Sequence, residues 1–248
     1  MASLFFVGGG YIAATQFYNN FEVKQNQLST NVSFTTYNND NNLYISAVSQ
    51  TIDRVVEINT TQTITSNPRR STTIESSGSG VIIQEDGFII TNYHVVENAD
   101  TILVTLSVKE TYKATLIAVD VVNDLALIRI DETNLPTAVF ANSDNVLVGE
   151  LIIAIGNPLG VLSGTVSEGI VSAINRSIET NNTTKTFIQI TAAINPGNSG
   201  GGLFNLSGNL IGIVSAKSTG LSVEGLGFAI PSNIVLEFLS NHLDIEAI

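Results

Sequence analysis

The sequence predicts an all-β fold, a barrel or a sandwich, from three observations. Apolar runs recur about every ten residues and are separated by turn residues. One pair of runs flanks Asp86-Gly87, a dipeptide typical of β-hairpins. The stretches between most runs are too short for the crossover helices that a parallel sheet requires.

The predicted strands form two groups, one on each side of Leu135-Pro136. Each run is short, rich in β-branched residues and bounded by glycine, asparagine or aspartate, which is the pattern of buried strands. The first group covers residues 80–84, 88–91, 101–108, 112–119 and 126–130, and the second covers 151–155, 164–174, 186–191, 210–215 and 227–230.

The two ends of the chain differ from this pattern. Residues 1–46 are predicted to be an arm or linker, because the run Asn38-Asn39-Asp40-Asn41-Asn42 has nothing to bury. The apolar stretch 4–14 is shorter than the roughly 20 residues of a spanning helix. It could be the remnant of a membrane anchor, an arm that packs on a partner, or a poorly ordered terminus. Residues 232–243 predict a closing helix that begins at a Ser232 cap.

The composition excludes several classes of function. The 248 residues carry a net charge of −12 with only 10 lysines and arginines, which argues against binding nucleic acid through its phosphates. The chain has no cysteine, so thiolate metal sites and cysteine nucleophiles are excluded. Two histidines are too few for a histidine-rich metal site, and we expect neither a metal nor another cofactor. Imidazole chemistry, if used, has two candidates.

A glycine-rich segment around one serine, residues 195–202, is the most unusual local feature. A serine nucleophile needs a base and a third group that orients the base. His94 follows a strand end, and Asp124 precedes a strongly apolar strand that would bury one side of it. Asp120 is the competing candidate for the acid that orients the base. His242 is predicted to be a solvated residue at the end of a helix. The chain order His94, Asp124, Ser199 is the order of the chymotrypsin-type triad.

With these motifs the sequence resembles the HtrA (Deg) family of serine proteases. The resemblance covers about the last four fifths of the chain, in the order that the family shows. It is carried by Gly78-Ser-Gly-Val-Ile-Ile, Thr91-Asn-Tyr-His-Val-Val, Asn123-Asp-Leu-Ala-Leu-Ile, Ile155-Gly-Asn-Pro-Leu-Gly, Ala192-Ala-Ile-Asn-Pro-Gly-Asn-Ser-Gly-Gly and Gly227-Phe-Ala-Ile-Pro-Ser.

The resemblance implies two six-stranded antiparallel β-barrels, about 47–135 and 136–230, with the triad in the cleft between them. It implies that His94 is the general base, that Asp124 orients it and that Ser199 is the nucleophile. The N–H groups of Gly197, Asn198 and Ser199 would form the oxyanion hole. The specificity pocket would be lined by Ile194, Val214, Ser215, Ala216 and Lys217, with an aliphatic preference unless Lys217 turns inward.

The family further implies a serine endopeptidase that cleaves unfolded or misfolded proteins. It suggests a homotrimer, in which Phe17, Tyr18 and Phe21 could supply contacts. It also suggests an extracytoplasmic location, where the N-terminal arm could serve as a membrane tether. Family members usually carry PDZ domains. We expect none in residues 1–248, because only about sixteen residues follow the last motif.

Two alternatives remain open. An α/β-hydrolase would use Ser199, an acid such as Glu224, and His242, but a strand and not a helix is predicted after Ser199. A chaperone-like or scaffolding relative would bind unfolded segments with an unassembled oxyanion hole.

Overall fold

The computed structural model describes most of the chain between residues 40 and 243. No helix in the described part is long and apolar enough to cross a membrane. Some expectations fall outside this part: those on the arm with Phe17, Tyr18 and Phe21, and those on Lys217 and Glu224. The described stretches are 40–67, 70–107, 110–156, 164–180, 183–216 and 226–243.

The first six strands close into an antiparallel barrel. Around the barrel the strand order is first, second, third, sixth, fifth and fourth, and the first and fourth strands pair to close it. The strands are β1 (Val55–Asn67), β2 (Arg70–Ile82), β3 (Phe88–Thr91), β4 (Thr101–Thr105), β5 (Thr111–Asp120) and β6 (Leu125–Arg129).

The remaining strands form the second barrel. They are β7 (Val139–Phe140), β8 (Leu151–Gly156), β9 (Thr165–Thr180), β10 (Thr183–Ile190), β11 (Gly202–Asn205), β12 (Asn209–Val214) and β13 (Gly227–Pro231). The order β11-β8-β9-β10-β13-β12 is closed by the pairing of β11 with β12. The prediction of two six-stranded antiparallel barrels is confirmed. The short β7, which pairs in parallel with β12, was not predicted.

Side chains alternate between the two faces of each strand. Each barrel therefore has a core of its own, and both barrels contribute to a third, shared core. On β6, Ala126 and Ile128 point into barrel one, whereas Leu125 and Leu127 join a cluster that includes residues of barrel two. All four side chains are fully buried. Because both faces of β6 are covered, its run reads as continuously apolar. Asp124, immediately before β6, therefore starts from a fixed backbone.

Two strand pairs extend well beyond their barrels. β1 pairs with β4 only over residues 57–61, but its pairing with β2 continues to Asn67. Likewise, β9 pairs with β8 over 165–170 and with β10 from Val171 to Thr180. The sequence did not predict β1 and underestimated the length of β2 and β9, because the outer halves of these ribbons are rich in threonine, serine and asparagine.

A helix, α1 (Asp40–Thr51), replaces part of the predicted linker. The expectation of a loop over the asparagine run is wrong from Asp40 onward. Ala47 is fully buried against the shared core, and the Thr51 hydroxyl donates to the Ala47 carbonyl at 2.7 Å. Tertiary contact therefore stabilises a segment of low helix propensity.

The closing helix, α3 (Ser232–Ser240), is shorter than predicted and is capped differently. Its N-cap is Pro231, and the Ser232 hydroxyl donates to the Ala141 carbonyl at 2.6 Å. The acceptor for the Asn233 N–H is Ser143 Oγ at 3.1 Å, and Asn233 Oδ1 accepts from the Ser143 N–H at 3.2 Å. The cap thus comes from the start of barrel two, which anchors the helix there.

Candidate active site

His94 lies on a single helical turn, α2 (Tyr93–Val96), that follows β3. Val95 and Val96 are buried in barrel one and fix the turn. His94 Nδ1 is 2.7 Å from Asp124 Oδ2, and the His94 backbone N–H donates to Asp124 Oδ1 at 3.0 Å. One carboxylate therefore holds both the ring and the main chain of the histidine. This leaves Nε2 as the ring nitrogen that can exchange a proton with a substrate.

Asp124 adopts a left-handed backbone conformation with φ of 59°. Its carbonyl accepts two hydrogen bonds, from Asn92 Nδ2 at 3.0 Å and from the Tyr93 N–H at 3.1 Å. The Ser215 hydroxyl lies 3.4 Å from Asp124 Oδ2. Since aspartate tolerates the left-handed region better than most residues, these contacts can maintain it.

Asp120, the competing acid, is used locally. Its two carboxylate oxygens accept from the backbone N–H and the side-chain amide of Asn123, at 2.9 and 2.7 Å. Asp120 therefore closes the turn before Asp124 and makes no hydrogen bond to His94.

Ser199 lies in the turn between β10 and β11 and is 5% exposed. Its Oγ accepts from the Ala216 N–H at 3.2 Å. In the described residues there is no hydrogen bond between Ser199 Oγ and the imidazole of His94. The pair His94–Asp124 is thus formed, whereas the serine hydroxyl is bonded to a different neighbour. Such serine–histidine hydrogen bonds often tighten only when substrate binds.

Ser79, on β2 of barrel one, holds the serine loop of barrel two. Its hydroxyl donates to the Gly197 carbonyl and its backbone N–H donates to the Ser199 carbonyl, both at 2.8 Å. The Thr91 hydroxyl in turn donates to the Ser79 carbonyl at 2.6 Å. A Cβ at Gly200, whose φ is 85°, would collide with that carbonyl. The close approach of the two barrels therefore requires glycine at this position.

The backbone N–H groups of the loop divide into engaged and free donors. The Asn198 N–H donates to the Asn195 carbonyl at 3.0 Å, and the Gly200 N–H donates to the Val214 carbonyl at 2.9 Å. Within the described chain, the N–H groups of Gly197 and Ser199 have no acceptor. Of the three N–H groups expected in an oxyanion hole, two are therefore available and that of Asn198 is not.

The residues expected in the specificity pocket are distributed over different roles. Ile194 is half-buried and packs against Gly227: a Cβ added to Gly227 would lie 2.8 Å from Ile194 Cγ1. Val214 is fully buried in the barrel core, and both its N–H and its carbonyl bond to the serine loop. Ser215 faces Asp124, and Ala216 contacts Ser199. Among the described members of this set, Ile194 is a partly exposed apolar side chain, while Val214 supports the loop.

Among the described residues, His242 makes no hydrogen bond to His94, Asp124 or Ser199. Its Nδ1 is 2.9 Å from the Phe238 carbonyl, and its ring lies 4.9 Å from that of Phe238. Ser199 is followed by strand β11 and not by a helix, so the geometry of an α/β-hydrolase is absent from the described residues. No group of three or more histidine, aspartate or glutamate side chains there could hold a metal ion.

Sequence reasoning named His94, Asp124 and Ser199 as candidate triad residues but missed Ser79 and Asn92. Both are buried polar residues inside the family motifs: Ser79 lies between Gly78 and Gly80, and Asn92 directly follows Thr91. A polar side chain flanked by apolar strand residues is the signal that could have drawn attention to them, because buried polar groups need partners.

Comparison with known proteins agrees with this geometry. A family model described as a trypsin-like peptidase domain matches residues 78–213. A protein of Pseudomonas savastanoi named probable periplasmic serine endoprotease DegP-like is 48% identical over 166 residues, which are 66% of this chain and 34% of the relative. The serine protease Do-like HtrB of Bacillus subtilis is 50% identical over 166 residues, 63% of this chain and 36% of the relative. The chain thus spans about a third of the length of these curated relatives.

Solved structures give the same result. The HtrA-type protease AlgW with a decapeptide superposes with a TM-score of 0.70 at 38% identity, covering 80% of this chain and 66% of that one. The same protease with a tripeptide also gives a TM-score of 0.70, at 39% identity, covering 83% of this chain and 65% of that one.

Proposed function

Because this chain belongs to the HtrA family of trypsin-like serine proteases, we propose that it is a serine endopeptidase that cleaves unfolded or misfolded proteins. The observation that carries the proposal is the pairing of His94 with Asp124 across 2.7 Å, beside a glycine-rich loop that presents Ser199. Peptides bound to an HtrA-type neighbour support a polypeptide substrate.

The mechanism follows from the groups on hand. His94 Nε2 removes the proton of Ser199 Oγ as the oxygen attacks the scissile carbonyl carbon, and Asp124 stabilises the resulting imidazolium. The imidazolium then gives its proton to the departing amine, which leaves an acyl-enzyme. Water, deprotonated by His94, attacks the ester and releases the acid with Ser199 restored.

The free N–H groups of Gly197 and Ser199 would stabilise the oxyanion of each tetrahedral intermediate. Backbone donors that are already fixed need no reorganisation during the reaction, and one such donor is worth about 10²–10³ in rate. The bond from the Ala216 N–H occupies an acceptor site of Ser199 Oγ, so the hydroxyl proton stays available for donation to His94 Nε2.

Proteolysis of a reduced, unfolded protein, compared with the same protein in its native form, tests this function. We expect cleavage of the unfolded form only, and a loss of at least about 10³-fold in Ser199→Ala and in His94→Ala. Binding of the unfolded protein without cleavage by the unaltered chain would favour the chaperone-like role instead.

We propose a preference for small or medium aliphatic residues before the cut, because Ile194 is the half-buried apolar side chain beside Ser199's loop. Mapping the cleavage sites in the unfolded protein tests the preference. Cleavage mainly after aspartate or glutamate would contradict it and would assign selectivity to Lys217.

We also propose a homotrimer. Four exposed apolar side chains lie on the outside of barrel two, around the start of β8: Leu147, Val148, Leu151 and its cross-strand partner Ile170. Such a cluster favours association with another protein surface. Light scattering should show a smaller species for Leu151→Lys but not for Ile174→Lys, whose site is as exposed as Ile170 but lies farther along β9. A trimer that survives Leu151→Lys would exclude this edge.

An extracytoplasmic location is proposed from the relatives named periplasmic, with the N-terminal arm as a membrane tether. Fractionation of cells tests both parts. Protein in the soluble cytoplasm would contradict the location, and release from membranes by salt alone would contradict a tether inserted into lipid.

A further inference from the structure

Asn92 makes an unusual use of its side chain. It is the N-cap residue of α2, a position where an asparagine oxygen normally accepts a hydrogen bond from the helix, yet it makes no such bond. Its amide instead donates across 32 residues to the Asp124 carbonyl at 3.0 Å. The side chain is therefore used to hold a distant residue and not its own helix.

The arrangement leaves an unmet hydrogen-bonding group. Asn92 is fully buried, and its Oδ1 accepts no hydrogen bond from any residue that the structure describes. A buried unsatisfied polar atom is unfavourable and calls for an explanation other than stability. The reverse amide orientation would place Oδ1 against the Asp124 carbonyl, so the observed orientation is the one that makes a bond.

The residue that Asn92 holds is strained. Asp124 has φ of 59°, a conformation uncommon for residues other than glycine. In that conformation its carboxylate reaches both the ring Nδ1 and the backbone N–H of His94. Strain of this kind persists when the surroundings fix it, and it is concentrated at functional sites.

We propose that Asn92 is a positioning residue: its buried amide locks the left-handed backbone of Asp124, so that the carboxylate stays aligned on His94. The inference rests on the proposed peptidase function for its kinetic consequence. This role differs from packing, because the Asn92 amide acts through a hydrogen bond to the main chain of Asp124. It also differs from a catalytic role, because Asn92 touches neither substrate nor the reacting atoms.

The test compares Asn92→Ala, which removes both the bond and the unsatisfied oxygen, with Ser232→Ala as a matched control. Ser232→Ala also removes a buried bond from a side chain to a carbonyl, but at the closing helix. For Asn92→Ala we expect kcat to fall about tenfold to hundredfold with KM within about twofold, because misplacing a catalytic group costs that much. The unfolding midpoint should fall no further than in Ser232→Ala, whose kcat should be unchanged.

A second variant and a second readout keep the test decisive. Asn92→Asp retains the shape but loses the donor, and its kcat should fall at least as far. The downfield proton signal of His94 Nδ1–H, measured in the resting protein, should shift or broaden in both variants and not in Ser232→Ala. An unchanged signal and unchanged kcat would overturn the inference. If the unaltered chain cleaves nothing, the proposed function fails, whereas the proton signal still tests Asn92.

Discussion

At the scale of single residues, two buried side chains hold the candidate site through backbone carbonyls: Ser79 bonds to that of Gly197, and Asn92 bonds to that of Asp124. With two histidines in 248 residues, and a serine among glycines, the choice of His94, Asp124 and Ser199 follows from chemistry. Ser79 and Asn92 act on backbone carbonyls that are 118 and 32 positions away. A main-chain acceptor leaves no trace in residue type, so such contacts cannot be inferred from the sequence.

Ser79→Ala tests the contact between the barrels. The substitution leaves the Gly197 carbonyl without its hydroxyl donor, so unfolding should become easier by about 1–3 kcal/mol. We expect kcat to fall about tenfold or more as the oxyanion loop loses its fixed geometry. Urea unfolding and steady-state kinetics measure the two effects.

Thr51→Val is the matched control, since it removes a buried hydroxyl bonded to a carbonyl in α1. It should reduce stability without changing kcat. An equal loss of kcat in both variants would show that the Ser79 effect is one of general stability.

The Tyr112 hydroxyl on barrel one donates to Glu110 Oε2 at 2.7 Å and also interacts with the Glu132 carboxylate. The backbone N–H of Thr133, followed by the Tyr112 hydroxyl, holds the pKa of Glu132 below its ordinary value. Glu132 therefore contributes stability that is present above its unfolded pKa and is lost as pH falls through the folded pKa. In Tyr112→Phe we expect the pKa of Glu132 to rise while staying below its ordinary value, because the Thr133 bond at 2.9 Å remains. A carboxyl NMR titration measures it, and an unchanged pKa would contradict the contact.

At the scale of elements, apolar periodicity predicts the strands that are buried on a barrel and misses those that leave it. The predicted runs 126–130 and 151–155 lie within one residue of β6 and β8, because nearly all side chains of these two strands are buried. The outer part of β1 and β2 is stabilised by pairing alone, for example Thr63 with Thr73, and this leaves no apolar pattern. The cap of α3 was missed because the acceptor of its Asn233 N–H, Ser143 Oγ, lies 90 residues earlier.

Ser143→Ala tests that distant cap. The change removes the acceptor of the Asn233 N–H, and the loss of a helix cap costs about 1 kcal/mol. Urea unfolding should show this destabilisation. Ser240→Ala removes an exposed bond within the same helix and should change stability by no more than about 0.5 kcal/mol. Equal effects in the two variants would contradict a specific anchoring role.

At the scale of the whole molecule, the two barrels meet at the candidate active site. Barrel one supplies His94, Asp124 and the Ser79 contact, while barrel two supplies Ser199 and its loop. Neither barrel contains a complete site, so the shared core that includes Ile90 and Ile153 stabilises the fold and aligns the chemistry. The fold class followed from run spacing, whereas closure into two barrels was implied by the family resemblance.

The central claim is that Ser199 is a nucleophile activated by His94. Labelling with a fluorophosphonate, followed by peptide mapping of the adduct, tests it most directly because only an activated serine reacts at a useful rate. We predict a single adduct on Ser199 that is lost in His94→Ala and retained in His242→Ala. The absence of any adduct on Ser199, with or without an added peptide substrate, would contradict the account, as would labelling that survives His94→Ala but is lost in His242→Ala.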